Sequence, residues 1–221
     1  MSRSVEVKVL VACEESQRVC MSFRNKGHNA YSCDLQDCSG GFPQYHIKGN
    51  VLDYINGHCE FITCDSVVHN IAGRWDMIIA FPPCTYFSRV NFFNYYRKGV
   101  FNAVRFNKAM DYVDLFWLIY NADCDKIAIE NPVPISIIKD YLPPISSTFQ
   151  PYEFGEEYSK KTCLWLKGLP VLLPTLLCMD FKPYVVINGN LINGTFNLAE
   201  QSKYRSKTFN GVARAMAQQW G

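Results

Sequence analysis

No stretch of this 221-residue chain approaches the ~18 apolar residues of a membrane span. The run Val9–Cys13, in the opening MSRSVEVKVLVACEES, is too short for the core of a signal peptide, and acidic residues follow at once. Charge of one sign is scarce: 22 Lys and Arg stand against 20 Asp and Glu, a net of +2. A strongly basic coat is thereby excluded, and nucleic-acid contact has to come from local patches. There is no C-x-x-C pair among the ten cysteines. The nearest spacings, Cys33/Cys38 and Cys59/Cys64, put four residues between thiols, which argues against structural zinc even with His58 and His69 beside the second pair. Internal repeats and low-complexity tracts are missing too. These absences point to a cytoplasmic chain with reduced thiols and no membrane partner.

The composition that remains is that of an ordinary globular protein, with 48% apolar and 19% charged residues. The length fits a single domain over residues 1–221, able to bury roughly 70% of its unfolded surface.

Val5–Ala12 is mostly β-branched and reads as a strand. Ser16–Lys26 reads as a helix with Val19, Cys20 and Phe23 on one face, ended by Gly27. Asn29–Cys33 is a second strand, with Asp34 just past its end, and Val51–Ile55 a short helix or turn. Residues 56–73 read as an irregular insertion. Trp75–Phe81 is a buried strand stopped by Pro82-Pro83, and Asn102–Asn121 is a long helix with Met110, Val113, Phe116, Trp117 and Tyr120 inward. Lys126–Ile129 is a further buried strand, stopped at Glu130-Asn131-Pro132. Cys163–Leu166 and Val185–Ile187 are strand candidates, and Thr208–Trp220 is a closing helix.

Strands alternating with helices imply an α/β fold with a mostly parallel sheet flanked by helices. Ligands of such sheets sit outside the carboxyl ends of the strands. Cys13-Glu14-Glu15, Asp34, Pro83-Cys84 and Glu130-Asn131 each follow an apolar run, so four polar clusters are expected to converge on one cleft. A strand, a tight turn and a helix, with an acid about 20 residues on, is the layout of a nucleotide-type site. Here the turn has no glycine and carries Glu14 and Glu15, which a phosphate would dislike and a cationic ligand would tolerate. S-adenosylmethionine, a sulfonium and ammonium without phosphate, fits. The alternative is that the two acids begin the first helical turn and complement its dipole.

Phe81-Pro82-Pro83-Cys84 presents a thiol on a backbone stiffened by two prolines, a placement suited to a nucleophile. Glu130, at the end of a buried strand, is costly unless paired or used, and could donate a proton to a ring nitrogen.

FPPC followed 46 positions later by ENP resembles the nucleophile loop and Glu-Asn pair of the DNA cytosine-5 methyltransferases. The resemblance spans most of the chain. Val9–Glu15 and Asp34 fall where the family has its first cofactor motif and its ribose-binding acid, though Cys13-Glu14-Glu15-Ser16 replaces the usual Phe-x-Gly-x-Gly turn. Gly49-Asn50-Val51 is similar to the family's Gly-Asp-Ile adenine contact. Tyr158–Leu166 sits where the family has an arginine-bearing strand, and Gly211–Trp220 resembles its final helix. The combination looks most like the compact versions of phages and prophages, which would act in the host cytoplasm.

That resemblance implies a Rossmann-like S-adenosylmethionine-dependent methyltransferase fold, with the recognition domain reduced or absent. It implies S-adenosyl-L-methionine held by Cys13, Glu14, Asp34, Asn50, Val51, Phe81 and Pro82. It implies DNA as partner, with a cytosine flipped into the pocket, Cys84 adding to C6, Glu130 protonating N3 and Asn131 orienting the Cys84 loop. Lys160 and Lys161 stand near the family's arginine.

Residues 86–108 interleave aromatics, among them Tyr86, Phe87, Phe92, Phe93, Tyr95 and Tyr96, with Arg89, Arg97, Lys98, Arg105 and Lys108, and no acid interrupts them. That mixture suits base stacking and phosphate contact, or else forms a hydrophobic lid with surface cations. Lys203, Arg205, Lys207 and Arg214 make a second patch. Between Cys163 and Thr208, residues 168–207 leave room only for a small hairpin, with turns at Gly189-Asn190 and Asn193-Gly194, as a remnant of a recognition region. Weak or very short sequence specificity is expected. Two other readings stay open: a related enzyme acting on a free pyrimidine nucleotide or RNA, and a non-catalytic cofactor-binding or inhibitory module. Oligomeric state is not legible.

Overall fold

The computed structural model describes residues 5–184, 190–191, 194–195 and 206–221. Its apolar runs become the centre of a seven-stranded sheet. In chain order the elements are β1 (Lys8–Ala12), α1 (Arg18–Arg24), β2 (Asn29–Asp34), β3 (His46–Lys48), β4 (Cys59–Ile62), β5 (Val68–Ile71) and β6 (Met77–Ala80). There follow β7 (Tyr96–Arg97), β8 (Val100–Phe101), α2 (Ala103–Tyr120), β9 (Ile127–Pro132), α3 (Ser136–Lys139), β10 (Ser147–Phe149), β11 (Tyr158–Ser159) and β12 (Thr162–Lys167). Last come β13 (Lys182–Pro183), β14 (Asn190–Leu191), β15 (Gly194–Thr195) and the closing helix α4 (Asn210–Trp220).

The sheet order is β10-β12-β9-β6-β1-β2-β3. The five strands from β9 to β3 run parallel, and β12 is antiparallel to both its neighbours. Alternate residues divide between two apolar layers, as a pleated strand requires. Leu10, Ala12, Cys33, Ile78, Ala80 and Ile129 pack with Ala109, Val113, Phe116 and Ile119 of α2 on one side. Val9, Val11, Ala30, Met77, Ile79, Ala128 and Leu164 pack on the other with Val19, Cys20 and Phe23 of α1 and with α4. Burying each of the larger of these side chains contributes ~1.5–3 kcal/mol.

Several sequence-based boundaries shift. Residues 56–73 are not irregular: β4 and β5 form an antiparallel hairpin that stacks Phe61 on Trp75 and buries both. The strand expected to stop at Ile129 continues to Pro132, because β12 extends the antiparallel ladder past the end of β6 and pairs with Glu130 and Asn131. Helix α1 is shorter than expected because Gln17 is left-handed, with φ 59°. Helix α2 starts after Asn102, whose side chain caps it by accepting the Arg105 N–H at 3.0 Å. The strand candidate Val185–Ile187 lies outside the described residues. So do Gly189 and Asn193, although Asn190–Leu191 does pair antiparallel with Gly194–Thr195. No helix among the described residues is long and apolar enough to cross a membrane.

Candidate active site at the carboxyl edge of the sheet

Strand register puts the candidate residues side by side. Ala12 pairs with Cys33 and with Ala80, and Ala80 pairs with Ile129. One step beyond that row, in four adjacent strands, come Cys13, Asp34, Phe81 and Glu130. The Phe81 N–H donates to the Ala12 carbonyl at 2.9 Å, and the Glu14 N–H to the Cys33 carbonyl at 3.3 Å, which hold three of the four ends together. This is the edge at which open α/β sheets take ligands.

The β1–α1 turn adopts glycine-like backbone without glycine. Cys13 has φ 58° and Gln17 φ 59°, a conformation costing about 1 kcal/mol or more for a residue with a Cβ. Gln17 fixes the turn by a two-way clasp on Phe42, donating from Nε2 to the carbonyl at 2.8 Å and accepting its N–H on Oε1 at 3.0 Å. Gly40 makes the clasp possible, since a Cβ there would come within 2.6 Å of the Ser16 carbonyl oxygen.

The two acids of this turn part company. Glu14 was expected to meet a cofactor, but its Oε1 accepts the Val19 N–H at 2.7 Å and its Oε2 the Cys20 N–H at 3.1 Å. Its carboxylate therefore serves orphan donors of the first turn of α1, the dipole-complementing alternative. Burial nevertheless pushes its pKa up to about 7, the hydrogen bonds opposing only part of the shift. Glu15 is equally buried, and neither of its carboxylate oxygens has a hydrogen-bond partner among the described residues. A buried carboxylate left in that condition is expensive. Sequence reasoning treated Glu14 and Glu15 alike as acids that a cationic ligand would tolerate and carried only Glu14 into the cofactor set, because the isolation of Glu15 depends on the packing around it.

Asp34 is the last residue of β2 rather than the first beyond it. Its Oδ1 accepts the Gln36 N–H at 2.9 Å, and burial pushes its carboxyl above the ordinary range. The Asp34 carbonyl accepts the Gly49 N–H at 2.9 Å, so Gly49-Asn50-Val51 lies against the end of β2. Asn50 caps the one-turn 3₁₀ helix Val51–Asp53 by accepting the Leu52 N–H at 3.2 Å, and Val51 is buried in the core. Burial drives the Cys13 thiol up to about 12, assisted by the charge of Asp34, so this sulfur stays protonated at neutral pH.

The Pro82-Pro83-Cys84 loop is held from the neighbouring strand. Asn131 is buried, and its Nδ2 donates to the buried Pro82 carbonyl at 3.0 Å. Further along, the Ile135 N–H donates to the Phe87 carbonyl at 2.9 Å, and Ser88 bridges Pro134. Cys84 opens a turn, its carbonyl accepting from Phe87 and Ser88 at 3.0 and 3.1 Å. It is exposed, and its sulfur is in no disulfide.

Glu130 lies in β9 opposite Leu164. Burial pushes its carboxyl above the usual carboxylate range, and the positive charge of Lys160 pulls it back in part. Lys160 belongs here because β12 runs antiparallel, bringing residues 160–161 to this same edge. Tyr158–Leu166 is thus two strands with the lysine pair between them. Lys161 is exposed, and its charge is felt by the neighbouring Cys163 thiol. Lys98 is exposed and left-handed, φ 50°, in the turn between β7 and β8. Arg89 and Arg97 have described backbone, in a 3₁₀ turn and in β7, but their side chains lie outside the described residues, as does all of Arg205. Lys207 of the second patch is described and donates to the Ser39 hydroxyl at 2.9 Å.

No protein-family model and no curated protein matches the chain. Among solved structures it is similar to a candidate DNA modification methyltransferase encoded within a prophage of E. coli, with TM-score 0.49 and 11% identity. The match covers 78% of this chain and 52% of that one, so the chain spans about half the length of that protein. The mixed α/β sheet, mostly parallel and flanked by helices, has a Rossmann-like architecture.

Proposed function

We propose that this protein transfers a methyl group from S-adenosylmethionine to C5 of cytosine in DNA, with Cys84 as nucleophile. The observation that carries the reading is the Asn131–Pro82 hydrogen bond, which ties the loop bearing the exposed thiol to the strand bearing Glu130.

The residues at the β1 and β2 ends fit the cofactor. Glu15 offers a buried, unpartnered carboxylate to a cationic group, and Asp34 offers a carboxylate suited to ribose hydroxyls. Gly49-Asn50-Val51, against Asp34, would border the adenine. When bound, the cofactor supplies an electrophilic methyl group.

The chain's own residues prepare the base. The Cys84 thiolate adds to C6, opening the C5–C6 double bond and making C5 electron-rich. Glu130, its neutral form favoured by burial, donates to N3 and stabilises the resulting enamine. Once C5 has taken the methyl group, the sulfonium leaving as a neutral thioether, loss of the C5 proton re-forms the C5–C6 double bond and expels the Cys84 sulfur. Asn131 touches none of the reacting atoms and acts as a positioning residue for the loop. Lys160 would face the base carbonyl or a phosphate.

The test is incubation with methyl-labelled cofactor and mixed-sequence DNA, followed by nucleoside analysis. Label in 5-methylcytosine, its absence with Cys84→Ser, and covalent trapping on DNA containing 5-fluorocytosine are expected. Label on an exocyclic amine, or none in any base, overturns the reading.

A further inference from the structure

Directly after the Cys84 turn lies a groove of about 620 Å³ bordered by Tyr86, Phe93, Asn94, Tyr96, Arg105 and Lys108. Its size is that of a small-molecule site, yet its walls are aromatic faces and cations. Phe93 is 83% exposed and Tyr96 42%. These rings are not adrift: Phe92 contacts both, at centroid distances of 6.2 and 5.9 Å, and Tyr96 contacts Phe101 at 5.7 Å. The floor is rigid. Tyr95 is fully buried and donates its hydroxyl to the Tyr86 carbonyl at 2.7 Å. The Arg105 guanidinium lies over Tyr86 and Tyr95, at 4.9 and 5.1 Å from the ring centroids. It also donates to the Thr85 carbonyl at 3.2 Å, joining the groove to the residue after Cys84.

Exposed aromatic faces beside cations bind bases by stacking and phosphates by charge, with little regard to sequence. In a duplex both faces of each base are already covered by its stacked neighbours. A groove that offers ring faces therefore takes bases only from a strand that is unpaired. Arg105 and Lys108 complement the phosphates of such a strand, and no acidic residue occurs between positions 86 and 108 to repel them.

We infer that the substrate strand is single-stranded DNA, its unpaired bases next to the target stacking on Phe93 and Tyr96. The inference rests on the reading of Cys84 as nucleophile for the placement of the target, and it adds that the enzyme prefers unpaired to duplex DNA.

The experiment is fluorescence anisotropy with a fluorescein-labelled oligonucleotide of one mixed sequence, offered as single-stranded DNA, as duplex and as single-stranded RNA. Single-stranded DNA is expected to bind about tenfold or more tightly than the duplex, a factor within the worth of one stacked base. Phe93→Ala should lose about tenfold for the single strand and Phe93→Trp should restore it. Circular dichroism and calorimetric binding of S-adenosylmethionine should be unchanged in both variants. Equal or tighter duplex binding, tighter RNA binding, no binding at all, or indifference to Phe93→Ala overturns the inference. Nucleoside analysis on the same samples separates the two readings. Single-strand binding through Phe93 without any 5-methylcytosine would sink the methylation chemistry and leave this groove assignment standing.

Discussion

The side-chain amide of Asn131 reaches across from β9 to the carbonyl of Pro82, 3.0 Å away, in a buried setting. One hydrogen bond thus fixes the backbone that carries Cys84 relative to the strand that carries Glu130. Proline has no N–H to offer β9 in return, so the contact depends wholly on the Asn131 donor.

Removing that donor separates positioning from folding. Asn131→Ala should cost about 1–3 kcal/mol in urea unfolding, because the Pro82 carbonyl loses its partner. Methyl transfer should fall on the order of 100-fold in kcat, with KM for S-adenosylmethionine unchanged, as misplacement of a nucleophile does. An activity loss no larger than the loss of folded protein would mark the bond as merely structural.

Glu15 should show opposite effects on stability and binding. Glu15→Gln removes a charge from a site where no described partner meets it, and should stabilise the free protein by about 1 kcal/mol or more in thermal unfolding. The same change should weaken S-adenosylmethionine by about tenfold in calorimetry, the factor expected from a lost charge-assisted hydrogen bond.

Stability should depend on pH through Glu14. Its carboxyl is raised from 4.5 to about 7 by burial, so the native state holds a proton more tightly than the unfolded chain. The contribution is fully present below the unfolded value and is lost as pH climbs to about 7, in all about 3 kcal/mol. Urea midpoints measured from pH 4.5 to 8 should fall and then level off, and Glu14→Gln should flatten that slope.

Gly211 should resist any side chain. A Cβ there would run into the Phe154 carbonyl oxygen, while its N–H donates to the Glu156 carboxylate at 2.6 Å. Gly211→Ala should cost about 1–3 kcal/mol by forcing α4 off the sheet, measurable as a lowered thermal midpoint.

The alternation of strands with helices was legible because β1, β6 and the start of β9 are short uninterrupted apolar runs, while α2 is a longer segment with buried apolar residues recurring every three or four positions. The polar residues following those runs do share one edge, as register shows for Cys13, Asp34, Phe81 and Glu130. What escaped was of two kinds. The β4–β5 hairpin has exposed Ile62, Val67 and Val68 and no strong turn pair, so its alternation points the wrong way out. The extension of β9 through Pro132 exists only because a strand some thirty residues later pairs with it. The differing fates of Glu14 and Glu15 were equally hidden, since adjacent acids in a turn look alike until one meets backbone donors and the other does not.

Helix α1 leans on α4, and two side chains stitch the pair: Arg18 donates to the Thr208 carbonyl at 2.7 Å and Lys26 to the Ala217 carbonyl at 3.0 Å. The apolar side of α1 is thus shared between the sheet and a helix drawn from far along the sequence. A copy cut short before α4 would lose one of the two surfaces that cover Val19 and Phe23 and would present them to chaperones.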